Sequence, residues 1–141
     1  MSHHPYEWSY GEVRLVRAID GDSAVFHLER EYIQEIDFGF HIRDRMVLLK
    51  NTDVTFRFEG YNTPEVVGEH KAKGLEAKAE LERVLGLGSI RLKSLKPDKY
   101  GGRYIAQVWV RQEDGTELYV NQHMLDSGFG KPYDGKGVKP V

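Results

Sequence analysis

The chain has 141 residues, 40% of them hydrophobic and 30% charged, and it contains no cysteine. That is enough chain for one domain with a real core, and it excludes disulfides and thiolate metal sites. A formal net charge of −2 argues against a protein that coats nucleic acid by charge alone, and no apolar run approaches a membrane span.

In chain order, residues 1–11 read as an N-terminal extension. "MSHHPYEWSY" lacks the positive end and apolar centre of a secretory signal, so the cytoplasm is the default expectation. "EVRLVRAI" (Glu12–Ile19) alternates apolar and charged residues and reads as a strand. "SAVFHLE" (Ser23–Glu29) is a second, with "DGD" as the turn between them. The stretch from Glu29 to Thr52 is less regular and predicts a long hairpin or an elaborated strand before "DVTFRFEG". Small and apolar residues then recur at helical spacing from Val67 to Leu85, through Ala72, Leu75, Ala79, Leu81 and Val84. "GLGS" (Gly86–Ser89) stops that helix. "IRLKSL" and "RYIAQVWV" predict two strands joined by "KPDKYGG", and "ELYV" a short one after a turn at "QEDG". A shorter helix is expected from Asn121 to Gly128, with Met124 and Leu125 on its buried face.

Strands, a helix, two strands and a helix, without βαβ alternation, predict an α+β, mainly β fold. The expected form is a five-stranded OB-fold-like barrel, with a long helix after the third strand and a shorter C-terminal helix. One domain spans 12–133, and 134–141, rich in glycine and lysine, is a flexible tail.

Three clusters carry residue types suited to chemistry. In "IDGDS", Asp20 and Asp22 flank a glycine at a tight turn, which suits a hard cation with oxygen ligands. Taken alone, the same triplet is more often a plain hairpin turn. It is not an EF-hand loop, because Ala24 and Val25 stand where an oxygen ligand and a glycine are required. In "FRFEGYNTPEVVGE" (Phe56–Glu69), Asn62 offers an amide oxygen, Pro64 holds Thr63 extended, and Glu65 follows three residues after Asn62. The competing reading makes Thr63 an N-cap and Pro64 the first residue of a helix. In "DKYGGRYIAQV", a glycine pair leads to Arg103, a planar multiple donor suited to phosphate. The region from Gly86 to Arg111 is also basic, with Arg91, Lys93, Lys96, Lys99, Arg103 and Arg111 against Asp98 alone. His3, His4, His27, His41, His70 and His123 show no zinc-ligand spacing. Trp8, Trp109 and Phe129 read as core or anchoring aromatics.

Taken together and in order, "IDGD", "FRFEGYNTPE", the helix, "DKYGGRYIAQV" and "VNQHMLDSGFGKPY" resemble the staphylococcal nuclease-like (thermonuclease) family over roughly Val13 to Tyr133. The resemblance implies an OB-fold and a calcium-dependent nuclease that hydrolyses DNA or RNA by metal-assisted attack of water. It implies Asp22, Asn62 and the Thr63 carbonyl as calcium ligands. Arg57 and Arg103 would grip the phosphate, and Glu65 would hold or deprotonate the attacking water. Lys99, Tyr100 and Tyr133 would contact the nucleotide. It implies a nucleic-acid substrate; from the sequence itself no membrane, no obligate protein partner and a monomer are expected. Related domains without catalytic residues act as binding modules, so a weakened nucleic-acid-binding module is the second expectation, and a calcium-binding structural domain the third.

The sequence departs from that family at several points. Asn62 stands for an aspartate and removes one negative charge from the metal site. Ser23 replaces a threonine, and an extra glycine precedes Arg103. The stretch Glu29–Thr52 is longer than the family's hairpin, and its Asp37 is a further acidic candidate for the site. The chain stops soon after Tyr133, so the last helix of the family pattern is not expected here.

Overall fold

The computed structural model describes residues 12–97 and 102–134. Its elements are β1 (Glu12–Asp20), β2 (Ser23–Gly39), β3 (Ile42–Phe58), β4 (Tyr61–Asn62), α1 (Lys71–Leu85), β5 (Gly88–Pro97), β6 (Tyr104–Gln112), β7 (Glu117–Tyr119), α2 (Val120–Asp126) and β8 (Lys131–Pro132). Among the described residues the fold is mainly β, with two helices. The main sheet runs β1-β2-β3-β6-β5, with β7 added along β6, and β4 pairs with β8 in a second, two-stranded sheet. Neighbours are antiparallel except β3 and β6, which run parallel from Phe56↔Tyr104 to Phe58↔Ala106. No hydrogen-bonded pairing closes β5 onto β1 among the described residues, so the sheet is open where a closed barrel was expected. No helix among the described residues is long and apolar enough to cross a membrane.

The period of two in β2 and β6 puts Ala24, Phe26 and Leu28, and then Ala106, Val108 and Val110, on the buried side. There Phe26 packs against Phe56 and Phe58, with ring centroids 6.0 and 6.2 Å apart. Helix α1 closes this core with Gly74, Ala77, Leu81, Val84 and Leu85. Two details differ from the sequence reading. The helix begins at Lys71 rather than Val67, because Gly68 takes φ +84° and breaks the helical path. The buried stripe is 74-77-81-84, so Ala72, Leu75 and Ala79 lie exposed. The reading of Thr63-Pro64 as a helix entry is therefore incorrect, since residues 63–70 form a loop.

Helix α2 is tied to the sheet by its buried Asn121. The amide accepts from Val108 N (2.9 Å) and donates to Glu59 O (2.9 Å) and Ala106 O (3.1 Å). These bonds fasten the helix where β3 and β6 meet in parallel.

The stretch Glu29–Thr52 is the expected hairpin. β2 and β3 pair without interruption from Ser23↔Arg57 to Asp37↔Arg43. Pairing with β1 ends at Glu29, and pairing with β6 covers only Phe56–Phe58. Residues 30–52 thus form a two-stranded arm that leaves the body of the domain.

Candidate functional site

The Asp20–Ser23 turn is bound to the end of β3 and the loop beyond it by three hydrogen bonds. Phe58 N donates to Asp22 O at 2.8 Å. Thr63 N donates to Asp22 Oδ2 at 3.1 Å. Tyr61 Oη donates to Gly21 O at 2.8 Å. Within the turn, Asp20 Oδ1 accepts from Asp22 N (3.2 Å) and Ser23 Oγ (2.6 Å), which fixes its shape.

Two glycines allow this approach. A Cβ on Gly21 would lie 2.6 Å from Ala77 Cβ and 2.8 Å from Thr63 Oγ1. A Cβ on Gly74 would lie 2.1 Å from the carbonyl oxygen of Glu65. The first turns of α1 therefore press against the loop that carries Glu65.

Around these contacts lies an open pocket of about 480 Å³ whose wall includes Asp22, Arg57, Asn62, Thr63, Glu65 and Arg103. All six residues expected to bind metal or catalyse thus line one cavity, although they come from the β1–β2 turn, β3, the 62–65 segment and the approach to β6. Asp20 and His70 line it as well. Glu65 is exposed, and Arg103 half-buried.

Arg57 is 4% exposed. Its Nη2 lies 3.3 Å from Asn62 Oδ1, 3.5 Å from Tyr61 O and 3.8 Å from Asp22 Oδ2. Its guanidinium carbon sits 5.1 Å from the centre of the Tyr133 ring, a cation–π distance. Tyr133 is held there by its backbone N–H, which donates to Gly60 O at 3.0 Å. Tyr133, expected to contact nucleotide, is thus a buried seat for Arg57.

The carboxyl of Asp22 is pushed up to about 8. Burial is the largest cause, followed by the hydrogen bond and charge of Asp20; Arg57 and the Thr63 N–H only partly oppose them. A buried carboxylate beside a second carboxylate is under-compensated by a single guanidinium.

No family model matches the chain, and no curated protein matches it.

Among the described residues no three acidic or histidine side chains group as a metal site. The donors gathered here are instead the carboxylates of Asp22 and Asp20, the Asn62 amide oxygen and the Thr63 carbonyl. All are hard oxygen donors, of the kinds that hold calcium together with water. Thr63 Oγ1 is in addition buried without a hydrogen-bond partner among the described residues. This donor set fits a hard divalent cation. Asn62 is its weakest member, because its oxygen faces Arg57 and its Nδ2 donates to Thr63 O at 3.2 Å.

Two expected substrate contacts, Lys99 and Tyr100, lie outside the described residues. Asp37 is not near the site. It pairs with Arg43 beside the arm's turn, fourteen residues along β2 from Ser23, or roughly 45 Å at strand spacing.

The sequence reading missed a second cavity of about 310 Å³ that shares Asn62 and His70 with the first. Lys73, Lys131 and Phe129 line it. The pairing of β4 with β8, Asn62↔Lys131, creates it. Strands of two residues leave no periodic signal from which that contact could be found.

Proposed function

We propose that this protein is a calcium-dependent nuclease that hydrolyses phosphodiester bonds of DNA or RNA, built on an OB-like arrangement of β1, β2, β3, β5 and β6. The observation that carries the reading is the convergence of Asp22, Arg57, Asn62, Thr63, Glu65 and Arg103 on one pocket. The parallel junction of β3 and β6 supports it, because it brings the end of the Arg57 strand beside the start of the strand that follows Arg103.

Asp22, Asp20, Asn62 and the Thr63 carbonyl would hold the calcium ion. When bound, calcium supplies charge neutralisation at the phosphate. Arg103 binds a phosphate oxygen at the pocket wall. Arg57, already oriented by Asn62 and Tyr133, offers fixed positive charge where the phosphate gains negative charge. Glu65, exposed at the pocket wall, accepts a proton from water as the water oxygen bonds to phosphorus and the ester oxygen leaves. The adjoining cavity offers Lys73 and Lys131 to the next phosphate and Phe129 to a base.

The test is incubation with single-stranded and duplex DNA and with RNA, in calcium and in chelator. Calcium-dependent cleavage supports the reading.

A second reading, a nucleic-acid-binding module with weakened catalysis, draws support from Asn62. Its amide lowers the charge of the metal site, and its oxygen already engages Arg57 at 3.3 Å. That reading is expected to show binding in chelator and no cleavage in calcium.

A further inference from the structure

The arm formed by residues 30–52 has no part in the proposed chemistry and stands apart from the pocket. Thirteen large hydrophobic residues are exposed among the described residues, and eight of them lie on this arm: Tyr32, Ile33, Phe38, Phe40, Ile42, Met46, Val47 and Leu49. Such clustering marks a surface that is covered in use. An isolated two-stranded ribbon is at best marginally stable in water, and both outer edges of this one are unpaired among the described residues. Its tip adds strain. Phe40 and His41 take φ +51° and +69° at a two-residue turn, where glycine or asparagine is usual, and Phe40 is 98% exposed.

The pattern of charge identifies the occupant. On the ribbon face opposite the core side, Glu31, Ile33, Glu35 and Asp37 of β2 stand across from Leu49, Val47, Arg45 and Arg43 of β3. The centre of this face is apolar, with Ile33, Val47 and Leu49 at 63%, 69% and 56% exposure. One long margin is acidic, and near the tip the other is basic. Arg43 already lies 3.3 Å from Glu35 and 4.0 Å from Asp37 within the chain, but all three are well exposed. A two-fold axis running along the arm would lay β2 of one copy over β3 of another, acid over base and apolar centre over apolar centre. A closed two-fold contact requires this kind of self-complementarity. Nucleic acid or an anionic membrane would meet the acidic margin and be repelled. The body of the domain packs on the other face, with Phe26, Leu28 and Phe56, so a second copy reaches the arm without meeting it.

We propose that the arm is a homodimerisation element, and that two copies of this chain pack their Ile33–Val47–Leu49 faces together with the acidic and basic margins crossed. This departs from the monomer expected from sequence, and it does not depend on the nuclease reading.

The test measures mass in solution by sedimentation equilibrium on the full chain. The wild type is expected to associate, with concentration, toward twice the 16.2 kDa of the chain. Ile33→Ser with Val47→Ser, at side chains that are mostly exposed, is expected to stay monomeric while keeping the wild-type circular dichroism. Two further variants keep the test decisive if that one misfolds. Arg43→Glu with Arg45→Glu makes both margins acidic near the tip, and Glu35→Lys with Asp37→Lys, at the residues that stand across from Arg45 and Arg43, makes both basic there. Each alone is expected to be monomeric, and an equimolar mixture to dimerise. A wild type that stays monomeric at every concentration overturns the proposal. So does a dimer that survives Ile33→Ser with Val47→Ser, or a monomeric wild type whose arm inserts into phosphatidylcholine vesicles.

Discussion

Thr63 donates its backbone N–H to Asp22 Oδ2 at 3.1 Å, across 41 positions of chain. This bond joins the β1–β2 turn to the loop that leads to Glu65. With the bonds from Phe58 N to Asp22 O and from Tyr61 Oη to Gly21 O, it makes one rigid wall from two distant segments. The site is therefore sensitive to anything that moves the loop against the turn.

Gly74→Ala is the sharpest probe of that sensitivity. Alanine favours a helix over glycine by about 1 kcal/mol, so propensity alone expects a stabler protein. The new Cβ would, however, sit 2.1 Å from Glu65 O, and overpacking of that kind costs about 1–3 kcal/mol. The clash is expected to win. The melting temperature should fall and cleavage should weaken, because the displaced residue is the proposed base. A melting temperature that rises would show that the loop yields freely and is not held by α1.

Asn62→Asp adds a carboxylate to the proposed calcium donor set. Calcium affinity rises with the charge of its ligands, and calorimetry is expected to show tighter binding by about tenfold. Without calcium, the same variant places a third carboxylate beside Asp20 and Asp22 and should melt at a lower temperature than wild type. Unchanged calcium affinity would remove Asn62 from the metal site.

Tyr133 separates seat from substrate contact. Tyr133→Phe keeps the ring beneath Arg57 and is expected to retain activity close to wild type. Tyr133→Ala removes a cation–π contact that is worth up to about 2 kcal/mol when desolvated. Cleavage is then expected to fall about tenfold or more. If Phe and Ala variants are equally impaired, the hydroxyl rather than the ring matters, and Tyr133 acts on something other than Arg57.

The contact between the two helices gives a pH dependence independent of the site. Glu80 Oε2 lies 2.7 Å from Arg83 Nη2 and 2.6 Å from His123 Nε2. The hydrogen bonds of Arg83, then that of His123, hold Glu80 down from 4.5 to about 2. The unfolded chain protonates Glu80 near 4.5 and the folded chain only near 2. The stabilisation is thus complete above the higher value and disappears as pH falls to the lower one. Arg83 is well exposed, so screening reduces the contribution to the order of 1 kcal/mol. Glu80→Gln should lose that amount at neutral pH and flatten acid unfolding within the window. Parallel acid curves for the two proteins would contradict it.

What the sequence made legible follows the length of each periodic signal. β1, the first part of β2, β5 and β6 alternate over six or more residues, and all appear where alternation put them. The Asp20–Ser23 turn was legible because Asp-Gly-Asp between alternating strands admits little else. Helix α1 was found but started too early, because Val66 and Val67 extend the apolar pattern and the left-handed Gly68 leaves no mark in it. Its buried face was misplaced because Gly74, which lies under the Glu65 carbonyl, does not read as apolar. The six pocket residues were legible from motif order. The seating of Arg57 on Tyr133 and the Asn62↔Lys131 contact were not, because both depend on how the last described segment folds back over β4.

The most direct test of the central claim is cleavage of single-stranded DNA in calcium by wild type and by Glu65→Gln, with substrate binding measured alongside. Glu65 is exposed at the pocket wall, so the substitution should leave fold and binding intact. Cleavage is expected to fall by about 100-fold or more while the dissociation constant stays near that of wild type. Equal cleavage by the two proteins, or none by either in calcium, would contradict the account of this pocket as a nuclease centre.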